Sequence, residues 1–149
     1  MAKNWKNELD EHFVEQKKTR KEIEAKRQEK RKIMKRFMKK EVLPAFEDLK
    51  DELQRYKREC DVDSKKDWAA LVVRHKKKKE MVYEINVNVD DSHLRVSKSI
   101  YMPNDKGKLK LGVEGKIRNP DNSLKLEKIT RDLIIADFLE SYKEVTRVK

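Results

Sequence analysis

The chain has 149 residues, 45% of them charged and only 36% hydrophobic, with a formal net charge of +11 and a pI near 9.6. That balance excludes a well-filled globule over the whole length and points to one domain with an extension. The single cysteine, Cys60, excludes an intramolecular disulfide and a thiolate metal cluster, and no run approaches the ~18 consecutive apolar residues of a membrane-spanning helix.

The positive charge is concentrated. Residues 17–40 hold thirteen lysines and arginines against Glu22, Glu24 and Glu29, a net of +10 that leaves +1 for all other residues. A surplus gathered in one segment favours polyanionic partners: nucleic acid, an anionic membrane face or an acidic protein. The chain also opens directly on charge after Met1, with no apolar core of a leader peptide, so the expected location is cytoplasmic.

Trp5, Leu9 and Phe13 fall four apart and mark one face of a first helix, with Asn4 placed to cap it. Between residues 17 and 32 only Ile23 and Ala25 are apolar. Strong helix formers dominate, no Gly or Pro interrupts, and Glu22 and Lys26 form a favourable pair one turn apart. A helix that is polar all round has little to bury, so this one is exposed, docked on a partner, or frayed.

From Ile33 an apolar stripe returns through Met34, Phe37, Met38, Val42, Ala45, Phe46, Leu49, Leu53 and Tyr56. Pro44 lies inside it and predicts a kink near Val42 or a new helix begun at the proline. The stripe either packs on the C-terminal module or serves self-association. On the second alternative the oligomer interface is Phe37, Met38, Val42, Ala45, Phe46, Leu49, Leu53 and Tyr56.

Residues 61–66 read as a linker, dividing a basic helical arm (1–60) from a small α+β domain (61–149). Residues 68–75 fit either a helical face through Trp68, Leu71, Val72 and His75 or a short buried strand. Three alternating segments follow. Met81, Tyr83, Ile85, Val87 and Val89 line one face of the first. Leu94, Val96, Ile100 and Met102 line the second, with Lys98 the exception on that face. Leu109, Leu111, Val113 and Ile117 line the third, where Gly112 and Gly115 suggest a bulge. Asp90–Ser92 and residues 103–107 supply the turns and residues 119–123 a loop. A last helix, starting between Leu126 and Thr130 and running to about Val145, carries Ile129, Leu133, Ala136, Phe138, Leu139 and Tyr142, with Ile134 and Ile135, as the cover for the sheet's dry face.

Catalysis has little support. His12, His75 and His93 fall on separate elements without metal-ligand spacing, and Cys60 has no histidine nearby in sequence. The three glycines do not precede a helix as a phosphate cradle requires. No cofactor and no metal site are expected. The expected phosphate contacts are Lys17, Lys18, Arg20, Lys21, Lys26, Arg27, Lys30, Arg31, Lys35, Arg36, Lys39 and Lys40. The wet sheet face adds Arg95, Lys108, Lys110, Lys116 and Arg118, but only Tyr101 as an aromatic, too few for a stacking platform.

If residues 68–75 are helical, the order helix, three strands, helix resembles that of double-stranded-RNA-binding domains, in element order alone. If they form a strand, four strands and a helix result, an order some single-strand binders use. A further reading docks residues 30–40, with Ile33, Met34, Phe37 and Met38, on an anionic membrane or an acidic protein. The sequence therefore predicts an α+β fold: a long helical arm, kinked or broken near Pro44, then a three- to four-stranded antiparallel meander covered by a C-terminal helix. The expected function is a non-enzymatic, oligomeric nucleic-acid binder. The alternative is an assembly module whose arm mediates self-association without nucleic acid.

Overall fold

The computed structural model describes residues 4–89, 94–104, 106–117 and 126–147. The expected turn at Asp90–Ser92, His93, Arg118 and the loop at 119–123 lie outside the described residues. Helix α1 spans Trp5–Phe37, a π-helical segment spans Met38–Val42, and α2 spans Leu43–Gln54. The interruption foreseen near Pro44 is that π segment. Proline has no N–H to donate and its ring crowds the carbonyl four residues back. The backbone responds by widening: the Leu43 N–H reaches back five residues to the Met38 carbonyl, and Pro44 then sits in the first turn of α2.

Five strands follow, in the order β1-β2-β3-β4-β5, all antiparallel. They are β1 Arg58–Ser64, β2 Trp68–His75, β3 Lys78–Val89, β4 Leu94–Pro103 and β5 Leu109–Lys116. The meander thus has five strands, not three to four, and two corrections account for the difference. Asp61 to Ser64 belong to β1, so the expected linker shrinks to the tight connection before Trp68. Residues 68–75 are a strand, paired on both sides, which removes the element order of a double-stranded-RNA-binding domain. The β2–β3 connection is equally tight: Lys76 and Lys77 both have positive φ (54° and 67°), the geometry of a two-residue type I′ hairpin.

Helix α3, Arg131–Val145, follows a single 3₁₀ turn at Leu126–Lys128. It shares the dry face of the sheet with the π segment and α2. One core cluster joins Met34, Phe37, Met38, Val42, Phe46 and Leu49 to Leu71, Tyr83, Ile85 and Ile100 of the sheet and Ile134 and Phe138 of α3. The apolar stripe that begins at Ile33 is therefore spent on the chain's own sheet. Of the residues expected at an oligomer interface, Phe37, Met38, Val42, Ala45, Phe46, Leu49 and Leu53 are buried inside the chain, and Tyr56 alone is exposed.

Lys98, the exception on the dry face, is explained by α3. Its Nζ lies 2.7 Å from Asp137 Oδ1, and the buried Tyr83 hydroxyl donates to Asp137 Oδ2. A second polar latch joins Glu80 to Arg58, at 3.4 Å, and to the Tyr142 hydroxyl. Buried polar groups need such partners, so the two latches fix where α3 sits on the sheet. The π segment contributes a third tie. Glu41 Oε2 accepts the Arg131 N–H at 2.6 Å, while Thr130 Oγ1 accepts from Leu133 at 3.3 Å, so α3 is capped partly from another element. Replacing Glu41 by Ala is expected to cost about 1–2 kcal/mol in urea denaturation, since the cap is charge-assisted but exposed.

At the far edge, β5 departs from the expected half-buried pattern. The register shifts between Ile100 and Tyr101, so Val113 faces Ile100 while Leu111 faces Tyr101, with Gly112 as the extra residue. Leu111 and Val113 are both exposed. A Cβ on Gly112 would lie 2.3 Å from Met102 Cε, so the bulge is built where a side chain must pass close to backbone.

Three titrating side chains make the fold sensitive to alkali: Tyr83, whose hydroxyl is raised well above its ordinary value by burial, and two with nearer limits. Burial pushes the Cys60 thiol from 9.0 up to about 11. Burial, then the hydrogen bond to Glu80, pushes Tyr142 from 10.0 up to about 12. All three folded values lie above the unfolded ones. Their contribution to stability is complete below the unfolded values and is lost as pH rises through the folded ones. The urea midpoint is expected to fall between about pH 9 and pH 12, and Cys60→Ala should remove the lower part of that fall.

Candidate nucleic-acid interface

Every residue from 4 to 29 is exposed, so the N-terminal part of α1 projects from the sheet domain with solvent on all sides. At 1.5 Å per residue, that projection is roughly 40 Å long. Lys17, Lys18, Arg20, Lys21, Lys26 and Arg27 lie on this free part, all exposed. Successive residues advance by about 100°, so these six cations are distributed around the helix.

From residue 30 the geometry changes. Met34, Phe37 and Met38 turn inward and are buried, while Ile33 stays half-buried, so most of that patch's apolar surface packs on the chain's own core. Arg31, Lys32, Lys35, Arg36, Lys39 and Lys40 stay exposed on the outer side of the helix, and Lys30 is half-buried. The expected phosphate contacts therefore form one continuous track, all round the helix along the free arm and one-sided at its root. Within it Arg31 lies 3.9 Å from Glu24.

At the root the track meets the sheet. A groove of 760 Å³ is lined by Arg31 and Met34 of α1, by Lys65, Lys66 and Asp67 between β1 and β2, and by Val87, Asn88 and Val89 at the end of β3. In the sequence Lys65 and Lys66 read as linker residues. No local pattern marks them as neighbours of Arg31; that follows only from β1 returning beside the helix. At the opposite end of β2, Lys76, Lys77, Lys78 and Lys79 gather on a hairpin tip.

The open sheet face is a poor second site. Pairing places Asp63, Ala70, Glu84, Ser99 and Glu114 in one row across all five strands. Those carboxylates stand beside an apolar row of Val72, Val82, Tyr101 and Leu111. Of the cations expected on this face, Lys110 instead pairs with Met102, on the other face from Tyr101, and Arg118 lies outside the described residues. A face with three carboxylates across its centre repels phosphates.

The groups considered for catalysis stay apart. His12 is on the free arm and His75 ends β2. Cys60 is buried in β1 with its thiol pushed up to about 11, which leaves little thiolate at neutral pH. Comparison with protein-family models, with curated proteins and with solved structures finds no match.

Proposed function

We propose that this is a non-enzymatic cytoplasmic protein that binds nucleic acid through phosphate contacts of its projecting helix, with Lys65 and Lys66 extending the contact onto the sheet domain. One observation carries the reading: from Lys17 to Glu29 the basic segment lies on an exposed helix in which only Ile23 and Ala25 are apolar, so this stretch presents charge rather than an apolar face to solvent. The arm has no aromatic residue between Phe13 and Phe37, so base stacking does not contribute and sequence is not read. Binding rests on counterion release from the phosphate backbone. Fluorescence anisotropy of labelled duplex DNA, duplex RNA and single strands, at two salt concentrations, tests it. Flat anisotropy at low salt on all of them would remove the proposal.

A further inference from the structure

The arm is not uniformly basic. Residues 5–16 carry Lys6 against Glu8, Asp10, Glu11 and Glu15, a net of −3. Acidic residues near a helix N-terminus complement its dipole, but that effect fades within the first turn and accounts for Glu8 alone. On this acidic tip Trp5, Leu9 and Phe13 lie one turn apart, 51%, 45% and 60% exposed. Three large apolar side chains in a row on a free helix have the spacing of anchors that fill a groove on a partner.

The same chain holds a pocket of the complementary kind. At the root of the arm, a cavity of 260 Å³ is floored by Ile33, Phe37, Leu126 and Ile129. Arg36 and Lys40 stand exposed at its rim. Among the described lining residues the one acid, Glu41, accepts the Arg131 N–H. From Trp5 to Phe13 the anchors span roughly 12 Å of helix, and Ile33 to Glu41 span the same length. The tip cannot reach its own root, because α1 is unbroken from Trp5 to Phe37 and Leu9 stands roughly 40 Å along it from Phe37.

We infer that the acidic tip of one copy docks in the basic-rimmed root pocket of a second copy, and reciprocally, giving a two-fold dimer of crossed arms. Trp5, Leu9 and Phe13 supply the buried contact. Glu8, Glu11 and Glu15 meet Arg36 and Lys40 and set its direction. The opposing effect is repulsion between the basic middles of the two arms. It is screened over about 8 Å at physiological ionic strength, so the dimer is to be sought there rather than at low salt. The contact shares Arg36 and Lys40 with the phosphate track but does not require it, and it is measured without nucleic acid.

Light scattering of the full-length protein in physiological salt is expected to give twice the chain mass. Trp5→Ala combined with Leu9→Ala and Phe13→Ala is expected to halve it, with helical content by circular dichroism unchanged because all three positions are exposed. Reversing the tip (Glu8→Lys, Glu11→Lys, Glu15→Lys) or the rim (Arg36→Glu, Lys40→Glu) should each give a monomer. An equimolar mixture of the two reversed proteins should dimerise again, since each tip then faces a rim of opposite sign. A monomeric full-length protein would overturn the inference, as would a dimer that survives the triple alanine variant, or a mixture that stays monomeric.

Discussion

Phe46→Ala is expected to lower the stability of the fold by about 3–5 kcal/mol, the range for an aromatic truncated inside a core that cannot collapse around it. Phe46 is fully buried and stands edge-on to Tyr83, with ring centroids 6.0 Å apart. Tyr83 in turn meets Phe138 at 5.4 Å, and Phe138 stacks on Tyr142 at 5.6 Å. This run of rings ties α2 to the sheet and the sheet to α3. Neither helix is free to move into the space that the truncation leaves. Asp137 holds α3 to Lys98 and Tyr83, and Glu41 holds its first turn to the π segment. Phe46→Leu keeps part of the volume and should cost less than half as much. Deleting residues 1–29, all exposed where described, should leave the unfolding free energy of the monomer within about 0.5 kcal/mol of the full-length value. A small effect of Phe46→Ala, or a large effect of the deletion, would mean that the arm and α2 have their structural roles reversed.

The sequence revealed most where the signal is local. The alternation of Met81, Tyr83, Ile85 and Val87 marked β3 with its buried face, and the stripe from Ile33 marked the helical segment that covers the sheet. What it concealed depends on partners distant in the chain. β1 carries Asp61 and Asp63 on its open side, and such acids read as linker until β2 pairs with them. Residues 68–75 form a short run, apolar without interruption from Trp68 to Val73, in which periodicity cannot separate period two from period 3.6, and pairing on both edges decides the matter. Lys98 looked like a break in the pattern because its partner, Asp137, lies 39 residues on. Leu111 and Val113 looked like one face of a strand, but a bulge at Gly112 turns them to opposite sides. The candidate interface divides in the same way. Its arm is a linear feature and was legible, whereas Lys65 and Lys66 join it only through the fold.

The largest effect expected of the arm is on salt dependence. If about six of its cations meet duplex phosphates at once, log K should fall with log salt at a slope of roughly −5, which is a loss on the order of a thousandfold between 50 and 200 mM. Lys17, Lys18, Arg20, Lys21, Lys26 and Arg27 lie on the free part of α1, so replacing them by alanine leaves the core untouched while removing the contacts. Each replacement that deletes a phosphate contact should reduce the slope by about one and weaken all sequences alike. These cations surround the helix, and a duplex meets it from one side or encloses it in a groove. In the first case only the replacements on one face should change the slope. In the second, replacements on every face should, because an α-helix about 10–12 Å across fits the ~12 Å major groove of B-form DNA and not the narrow one of A-form RNA. Lys65→Ala with Lys66→Ala then reports on the root: a further drop of about two in slope places the groove in the contact. A slope near zero for the unmodified protein would leave the arm's charge to some other partner.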